Sequence, residues 1–428
     1  MTVVQTAVAA RRAGRALQAL TTDQRVAALH RMAQALVDNA EHILAENALD
    51  VADAQALVES GELAQASADR LPLTEAKLGT LAAGIRSIAD ADEPLGRVIH
   101  TTELADGLVL RKETAALGVL LIIFESRPDA LPQIASLALR SGNGLVLKGG
   151  KEARRSNTVL HAVLTQALAP DVSADVIGLV HSRSDIAELL ELDDVIDLVI
   201  PRGSNALVRH IQANTRIPVL GHADGICHVY VDESADTAMA LRIVLDSKLD
   251  YPAACNAMET LLIHRAVWAS LGESLVGALE SAGVTVFVGP EAAGVRTDLP
   301  RASSLAFEYG DLRVAVELVD SVEAAIEHIH TYGSGHTEAI VTNNTQTALQ
   351  FQNTVDSACV FINASTRFAD GYRFGLGAEV GISTSRIHAR GPVGVEGLLT
   401  TRFKLTGTGD TVAPFSAGER AFTHRKLV

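Results

Sequence analysis

Between Gly118 and Ile200 the chain alternates short apolar runs with helix-like segments, and this pattern limits the fold more than any other feature. The run Gly118–Phe124 is continuously apolar and rich in branched residues, which is typical of a strand buried on both faces. Similar runs follow at Gly144–Lys148, Asp175–Val180 and Val195–Ile200. Strand and helix recur at intervals of roughly 25 to 30 residues, which predicts a doubly wound parallel sheet.

The remaining segments predict two further parts. The first ninety or so residues read as helices, and Thr21 with Gln24 forms a capping-box pattern. Residues 98–111 predict a hairpin, and 399–405 alternate like an edge strand. A second α/β block is predicted from about residue 227 to 390, with strands near Thr260–Ile263, Val284–Val288, Ala339–Val341 and Val360–Ile362.

Composition excludes several classes of protein. Hydrophobic residues make up 48% and charged residues 20%, which is a soluble globular composition. The net charge of −15 argues against nucleic-acid binding, which needs a basic surface. Arg11, Arg12 and Arg15 interrupt the first apolar stretch, and no run is long enough to span a bilayer. Three widely spaced cysteines do not form a disulfide framework, so a reducing cytoplasm is expected.

Common ligand-binding motifs are absent. Gly142 and Gly144 have no third glycine at the dinucleotide spacing, and Glu152 stands where a P-loop needs Ser or Thr. His328 and His330 lie two residues apart on a helical pattern and therefore on different faces, so no metal site is predicted there. Cys255 follows a proline turn among small residues and precedes a strand. By composition alone, a buried cysteine is the better interpretation.

Sequence blocks along the chain change that interpretation. They are Glu125–Pro128, Gly149–Glu152, Ile200–Gly203, Ile217–His222, Cys227–His228, Cys255–Ala257, Glu259–Thr260, Tyr332–Ser334, Asn363–Phe368, Gly377–Glu379 and His388–Pro392. In these blocks, and in their order, the chain from Val26 to beyond Arg402 resembles the gamma-glutamyl phosphate reductase family of the aldehyde dehydrogenase superfamily.

The resemblance implies NADPH-dependent reduction of L-glutamyl 5-phosphate to L-glutamate 5-semialdehyde and phosphate, the second step of proline synthesis from glutamate. Cys255 would attack the acyl phosphate as a thiolate and form a thioester, which a hydride then reduces. Superfamily members with a Glu-Leu-Gly-Gly block use its glutamate to activate water. Here the aligned block begins at His222, and loss of the glutamate would protect the thioester from hydrolysis.

The resemblance also assigns roles to individual residues. Those expected in catalysis are Cys255, Ser126 and Asn256, with either Ser126 or the Cys255 backbone N–H as the oxyanion donor. Those expected to bind cofactor are Lys148, Lys151, Gly203, Ser204 and Glu308. Lys151 replaces a glutamate that would repel a 2′-phosphate, so NADPH is expected over NADH, with Arg154 or Arg155 as possible helpers. Those expected to bind the phosphate or the glutamyl end are Arg127, Asn363 and Arg367. Cys227 and Cys359 are expected to be buried structural residues.

An aldehyde dehydrogenase-like α/β architecture follows from the resemblance. Residues 1–96 and 114–226 would bind the cofactor, 227–395 would form the catalytic domain, and 97–113 with 396–428 would form a hairpin-and-tail oligomerisation element. A homodimer or dimer-based oligomer is expected, and contact with glutamate 5-kinase is a further expectation. Three alternatives stay open: an acylating reductase with another acyl substrate, a cysteine acyltransferase or hydrolase, and a catalytically silent oligomer.

Overall fold

A computed structural model describes residues 1–182, 184–221 and 224–427. Its helices are α1 Val3–Ala19, α2 Thr22–Asp38, α3 Ala40–Glu59, α4 Gln65–Ala68, α5 Glu75–Asp90, α6 Ala130–Arg140, α7 Arg154–Ala167, α8 Ser184–Leu190, α9 Asn205–Ala213, α10 Thr237–Leu249, α11 Glu273–Ser281, α12 Val322–Tyr332, α13 Thr345–Thr354 and α14 Ala413–Ser416. Its strands are β1 Val98–Ala105, β2 Leu108–Ala116, β3 Val119–Phe124, β4 Gly144–Lys148, β5 Ile177–Val180, β6 Leu198–Arg202, β7 Cys227–Val231, β8 Met258–His264, β9 Thr285–Val288, β10 Arg313–Val319, β11 Thr337–Val341, β12 Cys359–Ile362, β13 Ile382–Ser383, β14 Gly391–Pro392, β15 Leu399–Thr406 and β16 Arg425–Lys426.

The chain divides into two compact units. The first contains Met1–Leu220, Leu376–Gly381 and Val393–Val428, and the second contains Gly221–Gly375 and Ile382–Pro392. The segments expected to form an oligomerisation element, 97–113 and 396–428, both fall within the first unit. The three-part domain plan itself stays a prediction.

Helices α1 to α5 form the N-terminal part of the first unit, as the sequence predicted. The capping box before α2 is present: Gln24 donates its backbone N–H to Thr21 Oγ1 at 3.3 Å, and Thr21 donates its own N–H to Gln24 Oε1 at 3.0 Å. Leu29, Met32 and Leu36 are fully buried along one face of α2. Truncating any one of them to alanine would cost about 2–5 kcal/mol, because a cavity would replace close packing.

The first unit contains a parallel sheet in the order β5-β4-β3-β6. All six residues of β3 are buried, as the continuous apolar run predicted. The chain moves from β3 outward to β5 and then returns to β6 on the other side of β3. The carboxyl ends of β3 and β6 therefore form a topological switch point, where open α/β sheets bind their ligands. The strand predicted at Val195–Ile200 begins later, at Leu198, because Val195 and Ile196 close a turn on Leu192.

The same unit contains an antiparallel sheet in the order β15-β2-β1-β16. The predicted hairpin is confirmed, and its turn uses Gly107 at φ 75°, a left-handed conformation that favours glycine. The predicted tail strand is also confirmed as β15, which pairs with β2 along its full length and stands at the edge of this sheet. Phe403 and Leu405 on β15 are exposed by 64% and 57%.

The second unit is built on a parallel six-stranded sheet in the order β12-β11-β7-β8-β10-β9. Strand β10 was missed by the sequence analysis. Its sequence contains Glu317, which interrupts the apolar run although its carboxylate is buried and accepts backbone N–H groups of Ala292 and Leu318 at 2.8 Å each. Local hydrogen bonds of this kind make a buried charge tolerable, and they cannot be recognised from periodicity.

Candidate functional site

The segment around Cys255 connects α10 to β8 at the amino-terminal edge of the second sheet. It begins with Tyr251 at φ 59° and closes two short turns, in which Ala254 donates to the Tyr251 carbonyl and Ala257 to the Ala254 carbonyl. Cys255 is half-buried, whereas Cys227 and Cys359 are buried, as predicted for those two. Cys255 is thus the cysteine that reagents in solution reach most directly.

Two neighbouring residues, Gly225 and Cys227, contact the backbone carbonyl of Cys255. A Cβ atom on Gly225 would lie 2.2 Å from the Cys255 carbonyl oxygen, so only glycine fits there. The Cys227 thiol donates to the same carbonyl oxygen at 3.3 Å. Burial, with the Glu338 carboxylate adding to it, raises the pKa of Cys227 well above its ordinary value, so this side chain stays a thiol and keeps its proton as a donor. The nucleophile candidate therefore sits on a fixed backbone.

Asn256 is buried directly beside Cys255. Its side-chain Nδ2 donates to the Ala369 carbonyl at 2.8 Å, which ties the nucleophile segment to the loop after β12. Its Oδ1 is buried and receives no hydrogen bond from the residues that the structure describes. The geometry gives Asn256 an anchoring contact, and its expected catalytic role stays a prediction.

The loop after β12 holds a cluster of two arginines on one carboxylate. Arg367 Nε lies 3.3 Å and Arg373 Nη2 lies 3.0 Å from Asp250 Oδ2, and Asp250 is five residues before Cys255. The hydrogen bond from Arg373 keeps the pKa of Asp250 below its usual value, with Arg367 adding to it, so the cluster carries one excess positive charge. Arg373 was not predicted from the sequence. The sequence around Arg373 does not indicate a site, because arginines are common in exposed loops.

Asn363 is a candidate whose side chain has a clear structural contact. It has φ 54°, and its side-chain amide both accepts from the Thr342 N–H and donates to the Thr342 carbonyl, at 2.9 Å each. This pairing with the backbone extends the contact between β11 and β12. Its expected role at the glutamyl carboxylate stays a prediction.

In the first unit, Ser126 follows β3 at the switch point. It has φ 51°, a strained conformation for a non-glycine residue, and is 4% exposed. Its backbone N–H and its hydroxyl both donate to Glu152 Oε1, at 2.6 and 2.9 Å. The adjacent Arg127 is half-buried, and its guanidinium makes no hydrogen bond or ion pair with the described part of the chain.

Gly203 and Ser204 lie on the other side of the switch point, where β6 leads into α9. Ser204 is the N-cap of α9 and accepts the Leu207 N–H at 3.4 Å. A Cβ on Gly203 would lie 2.6 Å from Glu125 Oε2, and the Ser204 N–H donates to the same oxygen at 3.3 Å. A helix N-terminus that already attracts a carboxylate is suited to an anion.

Basic residues gather at the ends of β4 and β5. Lys148 is the last residue of β4 and is 9% exposed, and its register partner Val180 directly precedes His181. Burial lowers the pKa of His181, and the positive charge of nearby Arg154 lowers it further. His181 was missed by the sequence analysis, because only the pairing of β4 with β5 brings it next to Lys148.

The other basic candidates lie on the surface. Lys151 is exposed and its Nζ lies 3.4 Å from Glu62 Oε2. Arg155 forms ion pairs with Asp53 and, at 3.9 Å, with Asp50 on α3. Glu308 is half-buried in the loop before β10. His222, whose block replaces the water-activating glutamate, lies outside the described residues.

The described residues contain neither a candidate metal cluster nor a candidate membrane-spanning helix. No cluster of three or more His, Cys, Asp or Glu side chains in ranges 1–182, 184–221 and 224–427 could hold a metal ion. Within the same ranges, no helix is long and apolar enough to cross a membrane.

Similarity to known proteins fits this arrangement. Residues 1–291 match the aldehyde dehydrogenase family. Delta-1-pyrroline-5-carboxylate synthase A of Arabidopsis thaliana is 60% identical over 95% of the chain, but the chain spans only 56% of that relative. Gamma-glutamyl phosphate reductase of Haloquadratum walsbyi is 46% identical, covering 98% of the chain and 94% of the relative. The crystal structure of gamma-glutamyl phosphate reductase from Thermotoga maritima superimposes with a TM-score of 0.90 at 35% identity, covering 96% of this chain and 99% of that one. The chain therefore belongs to the aldehyde dehydrogenase family and, within it, to the gamma-glutamyl phosphate reductases.

Proposed function

We propose that this chain reduces L-glutamyl 5-phosphate to L-glutamate 5-semialdehyde and inorganic phosphate with NADPH, through a thioester on Cys255. The observation that carries the proposal is the half-buried Cys255 on a backbone held by Gly225 and by the Cys227 thiol. The acyl phosphate comes from the names of the relatives that the chain covers almost completely. The longer relatives named delta-1-pyrroline-5-carboxylate synthase fit the same place in proline synthesis.

The reaction starts at the Cys255 sulfur. As a thiolate it forms a bond to the acyl carbon, the bond from that carbon to the phosphate oxygen breaks, and phosphate leaves with the electron pair. Reduction of the thioester gives a thiohemiacetal on Cys255. Its collapse breaks the carbon–sulfur bond, returns the electron pair to sulfur and releases the aldehyde.

The developing oxyanion needs a hydrogen-bond donor. Ser126 and the Cys255 backbone N–H are the two candidates. Both donors of Ser126 are directed at Glu152. This geometry favours the N–H of Cys255, which is carried on the same fixed backbone as the nucleophile.

The first unit fits a dinucleotide at its switch point. Ser204 caps α9, and the N-terminus of this helix attracts negative charge, so the pyrophosphate would be held there. Gly203 is required beside it, because a side chain at this position would collide with Glu125. A bound nicotinamide cofactor supplies the hydride for the reduction. Glu308 would hold the nicotinamide ribose, as the family resemblance implies.

We assign NADPH rather than NADH because positive charge collects where a 2′-phosphate needs it. Lys148 and Arg154 supply this charge at the ends of β4 and β5. Burial and these two cations lower the pKa of His181, so His181 adds an imidazole that favours its neutral form. Lys151 adds an exposed cation just after β4. Arg155 is a weaker candidate, because its guanidinium is already committed to Asp53.

Three arginines are assigned to the charged ends of the substrate. Arg127 would bind the leaving phosphate, since its guanidinium has no partner among the described residues and a guanidinium matches phosphate in a bidentate manner. Arg367 and Arg373 would bind the glutamyl carboxylate, since among the residues that the structure describes they share the single carboxylate of Asp250. Asn363 and Asn256 would keep that loop in place.

The assembly and the setting are also proposed. The exposed strand β15 would pair or pack with a second copy, giving a homodimer or a dimer-based oligomer. A cytoplasmic location fits three cysteines without a disulfide. Contact with glutamate 5-kinase would protect the labile acyl phosphate between the two steps.

The decisive experiment runs the reaction in reverse. Purified protein is mixed with glutamate semialdehyde, phosphate and NADP, and absorbance of the reduced cofactor is followed for wild type, Cys255→Ala and the buried-cysteine control Cys359→Ala. We expect phosphate-dependent reduction of NADP in wild type and the control, and none in Cys255→Ala. Activity without phosphate would contradict the acyl phosphate, and an inactive wild type would contradict the whole proposal.

A further inference from the structure

A buried ion pair connects the nucleophile segment to the loop that carries Glu308. Glu259 is the fourth residue after Cys255 and lies on β8, and its Oε2 is 2.9 Å from Lys248 Nζ on α10. The side chains of Lys248 and Glu259 are exposed by 0% and 1%. The second carboxylate oxygen, Oε1, accepts the backbone N–H of Gly310 at 3.1 Å.

This pair is costly to bury. Burial raises the pKa of Glu259 to about 7 although Lys248 opposes the rise, and burial lowers the pKa of Lys248. Well-packed apolar residues often replace a buried ion pair without loss of stability. Stability alone therefore does not explain why two charges stand here, and the contact with Gly310 indicates what they do.

The loop 307–310 is held at the two residues that directly follow Glu308. At the first, the ring of Tyr309 stacks on Phe287 with centroids 5.5 Å apart, and the Arg313 guanidinium lies 5.3 Å from the Tyr309 ring. At the second, the Gly310 N–H donates to Glu259 Oε1, and Gly310 itself has φ 66°.

Strand pairing makes this contact rigid. β8 and β10 are adjacent and parallel, with Thr260 opposite Ala315. Glu259, one residue before Thr260, therefore lies beside the start of β10. A movement of the Cys255 segment along β8 would be transmitted to the Gly310 amide through one side chain.

We propose that Lys248 and Glu259 are positioning residues that fix the loop 307–310, and with it Glu308, relative to the strand that follows Cys255. Lys248 holds the Glu259 carboxylate in one orientation through Oε2, and Oε1 of the same carboxylate holds the loop by accepting the Gly310 N–H. The inference rests on the proposed function, because Glu308 is assigned to the ribose of the nicotinamide cofactor there.

The test compares two double variants. Lys248→Met with Glu259→Gln removes both charges and keeps an acceptor oxygen for Gly310, whereas Lys248→Met with Glu259→Leu removes the acceptor as well. Neither double variant leaves an unpaired buried charge. A single substitution at Lys248 or Glu259 would leave one, and that could unfold the protein. Thermal melts establish that both are folded before any comparison is made.

Hydrogen exchange of the peptide containing 307–310 is measured in the protein without cofactor. We expect exchange about tenfold faster in the Leu variant than in the Gln variant, the effect of one lost hydrogen bond. The KM for NADPH should likewise be about tenfold higher in the Leu variant than in the Gln variant. Alkylation of Cys255 by iodoacetamide should differ between the two by less than about twofold, because the loop rather than the thiol has lost its contact.

Two outcomes would overturn the inference: equal exchange in both variants, or faster exchange in the Leu variant with equal KM for NADPH. Failure of the proposed function is a separate result. It would be seen in wild type as absence of NADPH-dependent reduction, whereas the exchange comparison needs neither substrate nor cofactor.

Discussion

Gly225 lies directly against the backbone of Cys255, and the substitution Gly225→Ala tests whether that contact positions the nucleophile. The added Cβ would lie 2.2 Å from the Cys255 carbonyl oxygen and 2.8 Å from its carbonyl carbon and Cα. All three atoms belong to the backbone, so no rotation of a side chain relieves the overlap. The two segments must separate.

The size of the effect follows from these distances. To bring the shortest contact to 3.0 Å, the lower limit for real Cβ contacts, the two backbones must move apart by about 0.8 Å. A displacement of about 1 Å at a reacting group can lower a rate by about 10²-fold. Overpacking of this kind also costs about 1–3 kcal/mol of folding free energy. We expect kcat to fall about 10²-fold, with a lower but cooperative melting transition.

The assay has a matched control in the same unit. Gly277 lies in α11 with nothing within 4 Å of an added Cβ, so Gly277→Ala is free of overlap. It should stabilise the helix by about 0.5–1 kcal/mol and leave kcat unchanged. The rate of reduction and the rate of Cys255 alkylation are measured for both variants. If Gly225→Ala retains kcat within about threefold of wild type, the contact does not position the nucleophile.

Three further outcomes are expected. Lys151→Glu should lower the ratio of kcat/KM for NADPH to that for NADH, because a carboxylate repels a 2′-phosphate; an unchanged ratio would remove Lys151 from the cofactor site. Burial, and after it the neighbouring His228, lowers the pKa of His328 to about 3. In the unfolded chain this histidine binds a proton at about pH 6.5, whereas in the folded protein it stays neutral until about pH 3. The free energy of unfolding therefore falls as the pH drops from about 6.5 toward 3. His328→Phe should reduce this loss between pH 7.5 and 5 in urea unfolding, and parallel losses in both proteins would contradict it. Phe403→Glu on the exposed β15 should shift sedimentation toward the monomer, whereas a monomeric wild type would refute the proposed assembly.

Local sequence patterns predicted much of the architecture because strands buried on both faces and helix caps have short-range causes. β3 needs apolar residues at every position, and the Thr21–Gln24 capping box involves four consecutive residues. β10 escaped prediction because its buried Glu317 depends on N–H groups of a turn some 25 residues earlier in the chain. A pattern of period two or 3.6 contains no information about such a partner.

The site shows the same distinction. Cys255 could be proposed as the nucleophile from the sequence because its neighbours in sequence match a family motif. His181 and Arg373 could not be proposed, because each is recognised only by a partner that is distant in sequence. The pairing of β4 with β5 brings His181 next to Lys148, and the loop after β12 brings Arg373 to Asp250. Neither has an unusual sequence context.

The interior of the second unit contains buried carboxylates near the point where the Cys255 segment enters the sheet. Cys255 precedes β8, and the amino-terminal ends of the strands around it place charged or polar side chains, among them Glu259 and Glu338, in the interior. Each of these carboxylates contacts a basic side chain and also accepts a backbone N–H. Glu259 accepts the N–H of Gly310, and Glu338 accepts the N–H of His228 at 2.8 Å. The first bond ties a loop to β8 and the second ties β7 to β11, at the edge from which the Cys255 segment enters the sheet. An apolar edge would bury more favourably, but it could not hold backbone N–H groups in fixed positions, and the reaction proposed for Cys255 needs such rigidity.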